Sequence, residues 1–467
     1  MEPTQTLADL SADQLREGYE AGRFEPGEVL AAVGERIAAC EPTINALWDE
    51  SVAAARPAAE ASAARWRAGH PLSRLDGVPV TLKENIARAG VAMPAGHAAG
   101  DPQPEAQDAP IAQRMAEAGA LVVGSTVMPD WGMLSSGVSS RHGITRSPLD
   151  PALTTGGSSA GAGAAAAAGY GPIHIGSDIG GSIRLPGTWL GLATLKPSFG
   201  RVPLSAPYLG RCAGPLARTV GDLVAAMDII GRPDVRDYSQ LPPLTGGYGA
   251  DFDPVGARIA VHTDAGCGSP VDPEVAAAVD AAAERFAAAG AQVTRIDPFM
   301  DEELLADVDR FWRVRSWADL RALPVAEREK ILPYVRQWCI RGSDISGVEV
   351  LRCYHSIQRM RQATVAATAA YDLVLSPVAP TAAFPAEWPM PFNDPDLPML
   401  HVGFTVPYNM SEQPAATVLA GYTGDGRTIG VQLAGPRFAD PQVLAAAAWF
   451  EADAALPAPR RTVGTAG

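Results

Sequence analysis

The stretch LTTGGSSAGAGAAAAAGYGPIHIGSDIGGSIRLPG, residues 153–187, is dense in glycine and in serine and threonine hydroxyls, and Asp178 and Arg184 are its only carboxylate and guanidinium. Its reading decides the fold. The run Gly161–Gly169 has the glycine content of a dinucleotide-binding loop, with Asp178 in the place of a ribose-binding acid, but Thr, Gly and Ser precede it where that motif needs an apolar strand. A tightly packed Ala/Gly helix between loops is the plainest structural alternative.

A third reading starts from chemistry. A serine hydroxyl is a poor nucleophile until a base takes its proton, and a lysine serves as that base when burial lowers its pKa. Acyl transfer also needs backbone N–H groups aimed at a developing oxyanion, and consecutive glycines let the backbone approach a substrate closely. The segment D-I-G-G-S at 178–182 supplies both parts, with Gly180 and Gly181 as donors and Ser182 as the nucleophile beside them. Of the 37 basic residues only Lys83, Lys196 and Lys330 are lysines. Arginine keeps its proton in a protein whereas a buried lysine sheds it, so each retained lysine is a candidate base.

Composition narrows the rest. Hydrophobic residues make up 47% of the 467 and charged residues 19%, a globular balance. A formal charge of −15 without clustered Lys or Arg argues against a nucleic-acid partner. The opening residues lack a basic segment followed by an apolar core, and the weakly polar run from Ala160 to Ile175 is too broken to span a bilayer, so no membrane association and a cytoplasmic location are expected. Five cysteines (Cys40, Cys212, Cys267, Cys339, Cys353) without C-x-x-C spacing read as reduced thiols, and the seven histidines show no metal-ligand spacing, so neither metal nor cofactor is expected.

Along the chain, Ser11 to Gln14 fits a capping box and the first fifty residues have helical periodicity. In LDGVPVTLKENIA, Val78, Val80 and Leu82 alternate as in a strand that ends at Lys83. APIAQRMAEAGALVVGST reads as helix, turn and buried strand, an alternation that predicts a mainly parallel sheet covered by helices. Residues 300–368 read as a helical insertion; YDLVLSPVAP and TIGVQLAGPRFADPQVLAAAAWFEADAAL add strands and a final helix.

With these segments in view, the stretch Gly156 to Arg201 resembles the signature of the amidase signature family of Ser-Ser-Lys hydrolases. GVPVTLKEN resembles that family's lysine strand, GPLARTVGDL its usual continuation and GVQLAGPRFADPQVLAAAAWFE its C-terminal strand and helix. The resemblance covers roughly the whole chain, most firmly 75–230 and 405–452. It implies an α/β fold in one domain over 1–467, with a single large mixed, mainly parallel β-sheet covered by helices on both faces. It implies Ser182 as nucleophile, Ser158 as bridging serine after a cis peptide from Gly157, and Lys83 as base. The same mapping makes the backbone amides of Ile179, Gly180, Gly181 and Ser182 the oxyanion donors. Asp178 and Arg184 are expected to hold the loop and the lysine, and Thr155 and Ser159 to donate hydrogen bonds in the same network. Lys196 also matches the motif but reads as structural. The chain departs from many relatives at Ser125-Thr126-Val127 and at Ala160, which bears on specificity.

Candidate pocket walls are Trp131 and Met133, then Tyr208, Leu209 and Arg211, and the 384–400 loop with Phe384 and Trp388 as a lid. Together with Trp312, Trp317 and Trp338 they suggest a roomy apolar and aromatic pocket, with no pair of fixed charges recommending an amino-acid substrate. The expected substrates are hydrophobic or aryl amides, with esters and carbamates as further small-molecule substrates. The alternative is the glutaminase subunit of a tRNA-dependent amidotransferase. The family implies a monomer or a homodimer.

Overall fold

A computed structural model describes residues 6–464. In chain order its strands are β1 (Leu47–Glu50), β2 (Pro79–Lys83), β3 (Leu121–Thr126), β4 (Val138–Ser139), β5 (Gly143–Ile144), β6 (Ile173–Asp178), β7 (Ala193–Lys196), β8 (Cys212–Ala217), β9 (Arg258–Val261), β10 (Gln292–Arg295), β11 (Leu373–Pro377), β12 (Ala415–Tyr422) and β13 (Thr428–Ala434). Eleven of them form one sheet in the order β1-β3-β2-β6-β8-β7-β12-β13-β11-β9-β10, and β4 pairs with β5 apart from it.

The sheet is mixed, as expected, but its parallel pairing is confined to two blocks, β3-β2-β6 and β11-β9-β10. The middle run from β6 through β8, β7, β12 and β13 to β11 is antiparallel throughout. A helix between two strands makes them parallel neighbours only when the crossover returns beside its starting strand. Here β8 returns against β6, and the β12–β13 hairpin separates β7 from β11, so parallel pairing is less extensive than the helix-strand alternation implied.

Apolar side chains on both faces explain why helices cover both. Val80 and Leu82 of β2, Ile173 and Ile175 of β6, and Val431 and Leu433 of β13 share one core with buried residues of the helices Ala12–Glu20, Val220–Ile230, Pro273–Ala288 and Asp440–Ala454. Leu121 and Val123 of β3 face the other way, onto the helices Pro26–Ile44, Val52–Arg67 and Ala160–Ala168. The Ser11 cap forms, its Oγ accepting from Gln14 N–H at 3.2 Å. The stretch 302–368 is helical, and Glu302–Ala322 and Gly347–Thr368 pack with residues 390–410 and with Met133 and Leu134 into a separate apolar cluster. Among the described residues no helix is long and apolar enough to cross a membrane, and all five cysteines are free and buried.

The Ala/Gly helix Ala160–Ala168 is small because it must be. A Cβ on Gly161 would lie 2.3 Å from Ala46 O and 2.6 Å from Val127 N, so the helix rests against strand-end backbone with no room for a methyl. Within a helix, Gly→Ala ordinarily stabilises by about 1 kcal/mol. Gly161→Ala is expected to reverse that sign and lower the urea midpoint, whereas Gly27→Ala, where a methyl meets nothing within 4 Å, is expected to leave it unchanged or raise it.

Candidate active site

Strand β2 runs between β3 and β6, and its last residue, Lys83, is fully buried. Nζ donates to Ser158 Oγ at 2.8 Å and to Ser159 Oγ at 3.1 Å. Burial pushes the ammonium down to about 7, helped by the positive charge of Arg211 and opposed by Asp178 and Glu84. Ser158 follows Gly157 through a cis peptide bond. A side chain at 157 would collide with backbone, since its Cβ would sit 2.4 Å from Ser136 O and 2.6 Å from Ser136 N. Ser159 continues the network, its Oγ donating to Ser177 O at 3.1 Å and accepting from Ser177 N–H at 3.2 Å. Thr155 stays outside it, because its hydroxyl donates to Gly156 O at 2.9 Å.

Strand β6 ends at Asp178, whose carboxylate organises the turn carrying Ser182. Oδ1 accepts from Gly181 N–H at 2.8 Å and Oδ2 from Ile183 N–H at 3.0 Å. Arg184 closes a fork on the same carboxylate, with Nη2 to Oδ1 at 2.9 Å and Nε to Oδ2 at 3.1 Å. Its Nη1 donates to Thr405 O at 2.9 Å and Gln432 Oε1 at 2.8 Å. Asn409 Nδ2 adds a bond to Asp178 Oδ1 at 2.9 Å. Burial alone would raise the Asp178 pKa, but Arg184 and these donors outweigh it and hold the carboxyl far below its usual range. Gly181 has φ +124°, where a side chain is strained, and a Cβ on Gly180 would meet the Trp312 ring at 2.8 Å.

The backbone therefore divides the four amides expected to face an oxyanion. Gly181 N–H is engaged by Asp178, whereas those of Ile179, Gly180 and Ser182 meet no protein acceptor among the described residues. Ser182 and Ser158 open onto one cavity of about 570 Å³, and no hydrogen bond joins their hydroxyls among the described residues. Lys196 lies elsewhere, buried at the end of β7 with Nζ donating to Pro197 O at 2.9 Å.

The cavity is walled by Trp131, Tyr208 and Arg211 of the expected set, together with Met93, Met128 and the 203–207 loop. The other expected walls point elsewhere. Met133 Sδ is buried against Arg315 Nη2 at 3.3 Å, and Leu209 packs on the apolar cluster of the helical insertion. Phe384 stands edge-on to Trp189 with ring centroids 5.2 Å apart, and Trp388 is exposed away from the cavity. No residue of the 384–400 loop lines this cavity; Phe384 O accepts from Thr154 N–H at 2.8 Å and Met390 Sδ from Ser135 N–H at 3.3 Å, which ties the first part of the loop to the segments around Ser135 and Thr154. Nor is the wall free of fixed charge, since Arg315 and Asp319 of the helix Glu302–Ala322 line it with Arg211. Sequence periodicity placed these two on a helix without saying which face would turn inward.

A family model described as Amidase matches residues 28–444. The chain belongs to the amidase signature family. As an amidase signature hydrolase it is 32% identical to an acylamidase from Rhodococcus erythropolis, with 96% of each chain covered. It is 31% identical to a glutamyl-tRNA(Gln) amidotransferase subunit from a Synechococcus species, over 96% of this chain and 97% of that one. Among solved structures, a bacterial aryl acylamidase of the same family superposes with a TM-score of 0.87 at 26% identity, covering 95% of this chain and 96% of the other.

The Asp178–Arg184 pair makes this site costly to disturb. Removing one partner of a buried ion pair typically costs about 3–5 kcal/mol, because the remaining charge is left uncompensated. Arg184→Met is expected to lose stability of that order in urea unfolding at pH 7, and adding Asp178→Asn to it to recover part of the loss. Because the folded pKa of Asp178 is depressed, its contribution is present above the unfolded carboxylate pKa of about 4 and fades as pH falls below it.

Proposed function

We propose that this amidase signature hydrolase is a self-sufficient amidohydrolase that cleaves the C–N bond of hydrophobic or aryl amides through an acyl-enzyme on Ser182. The observation that carries the reading is a fully buried Lys83 bonded to Ser158 at 2.8 Å, with Ser158 and Ser182 on one cavity. A lysine whose pKa lies near 7 is substantially neutral at neutral pH, so Nζ has a lone pair to offer the Ser158 hydroxyl. A proton then passes from Ser182 through Ser158 to Lys83 as Ser182 Oγ attacks the carbonyl. The free amides of Ile179, Gly180 and Ser182 are the donors for the oxyanion. The proton returns to the leaving amine, which departs, and water repeats the sequence to release the acid and restore Ser182. Esters follow the same path, and a carbamate that expels its alcohol leaves a carbamoyl-enzyme.

A second reading, the ammonia-releasing glutaminase component of an amidotransferase, draws support from the relatives of that name and from Arg211, Arg315 and Asp319 on the cavity wall. The deciding experiment follows aromatic amine from a neutral nitroanilide by the purified protein alone, and ammonia from L-glutamine with and without a partner protein. Self-sufficient anilide hydrolysis supports the first reading; glutamine hydrolysis that requires the partner, with no anilide turnover, overturns it.

Ser182→Ala and Lys83→Met are each expected to lower kcat by on the order of 10⁴-fold or more. In the unaltered protein kcat/KM is expected to rise as pH climbs through about 7, where Lys83 loses its proton. Arg211→Gln removes a positive charge that holds Lys83 neutral, so this rise is expected to move to higher pH; an unmoved profile would show that Lys83 is not the group titrating.

A further inference from the structure

Resting on the reading of Ser182 as nucleophile, we propose that the cavity selects amides that also carry a carboxylate, gripped by the guanidinium groups of Arg211 and Arg315. The two arrive from unrelated parts of the chain, Arg211 from the turn before β8 and Arg315 from the helix Glu302–Ala322, and both line the cavity that holds Ser158 and Ser182. Among the described residues neither guanidinium has a carboxylate within 4.0 Å, and the Arg211 side chain makes no hydrogen bond. Their neighbours behave differently. On the same helix Arg310 pairs with Asp307 and Arg313 with Asp309, each at 2.6 Å, so carboxylates are at hand where the arginines serve the scaffold.

Position is supplied without charge neutralisation. Arg315 is steered by the Tyr208 ring, 5.4 Å from the guanidinium carbon, and by Met133 Sδ at 3.3 Å from Nη2. Arg211 N–H donates to Tyr208 O at 2.9 Å, so one short turn positions both the arginine and the ring that carries its companion. Burial and the positive charge of Arg315 both disfavour the Arg211 cation, a cost that a bound anion would relieve.

The third charge on this wall sets the valence. Asp319 lies one turn beyond Arg315, lines the same cavity and makes no ion pair within 4.0 Å among the described residues. Asp178, which also lines the cavity, is neutralised by Arg184, so two cations and one anion remain and leave a single positive charge, which suits a monoanionic carboxylate and disfavours a dianionic phosphate. A planar carboxylate also matches the guanidinium fork. Much of the remaining wall, including Met93, Met128 and Trp131, is apolar, with Asn85, Ser177 and Ser205 as its polar members, so the substrate class is an aryl or aliphatic amide with a carboxylate at one end.

The test uses two matched pairs. Glutaric acid mono-4-nitroanilide against pentanoic acid 4-nitroanilide places the charge on the acyl side, and 4-acetamidobenzoate against acetanilide places it on the leaving group. In the unaltered protein the charged member of one pair is expected to be favoured about tenfold or more in kcat/KM, mainly through KM. That ratio is expected to collapse in Arg315→Gln and to return in part in Arg315→Lys, each read as charged against neutral amide in one preparation so that a folding loss cancels. Equal kcat/KM for charged and neutral amides, with Ser182-dependent turnover of both, would overturn the inference and leave the amidohydrolase reading standing. A preference that survives in both Arg211→Gln and Arg315→Gln would also overturn it. No turnover of any of the four would overturn the amidohydrolase reading, and the inference with it.

Discussion

The Asp178–Arg184 ion pair, enclosed on all sides, is the constraint on which the rest of the site depends. Two charges removed from water persist only when further hydrogen bonds satisfy them. Here those bonds come from Gly181 and Ile183 in the turn, Asn409 and Thr405 beyond the helical insertion, and Gln432 in β13. The pair thereby welds segments up to 248 residues apart in sequence around the turn that presents Ser182. Its demand on backbone amides also explains why Gly181 turns inward while its neighbours' N–H groups stay unengaged.

Lys83 is the complementary case, a charge that burial discourages. Among the described residues nothing closes an ion pair on it; its hydrogen-bond partners are two hydroxyls, and the charges around it pull in opposite directions. The resulting pKa near 7 is a property of the sheet's depth at the end of β2 together with the electrostatics of the cavity wall. Arg211 therefore acts on Lys83 through space and also lines the cavity, so under the proposed mechanism substrate charge and base strength are coupled. A carboxylate bound at Arg211 would offset part of the field that keeps Lys83 neutral.

Much of the site was legible before folding. The motif around Ser158 and Ser182 is long, and the scarcity of lysine narrowed the candidate bases to Lys83, Lys196 and Lys330, among which the family resemblance pointed to Lys83. The helices and strands of 110–126 and 428–454 were legible from periodicity and from their turn residues. The sheet was less so: strand order is a long-range choice, and the returns of β8 and of the β12–β13 hairpin leave no local trace. Thr155 illustrates the same limit, since a hydroxyl four residues from the Ser159 network turned to its own neighbouring carbonyl instead.

By itself the sequence supplied the residue types and the local spacing of the serine-glycine stretch, and its resemblance to the amidase signature family supplied the roles proposed for Ser182, Ser158 and Lys83. Only the tertiary structure decided what surrounds them. Phe384 and Trp388 were as aromatic as a pocket wall requires, yet packing took one to Trp189 and left the other partly exposed at the surface, off the cavity. Arg315 and Asp319 looked like two more charges on a helix, until the helix face was turned toward the serines. A cavity is the space left where distant elements meet, so its walls follow from how the insertion packs on the sheet, which no short stretch of residues encodes.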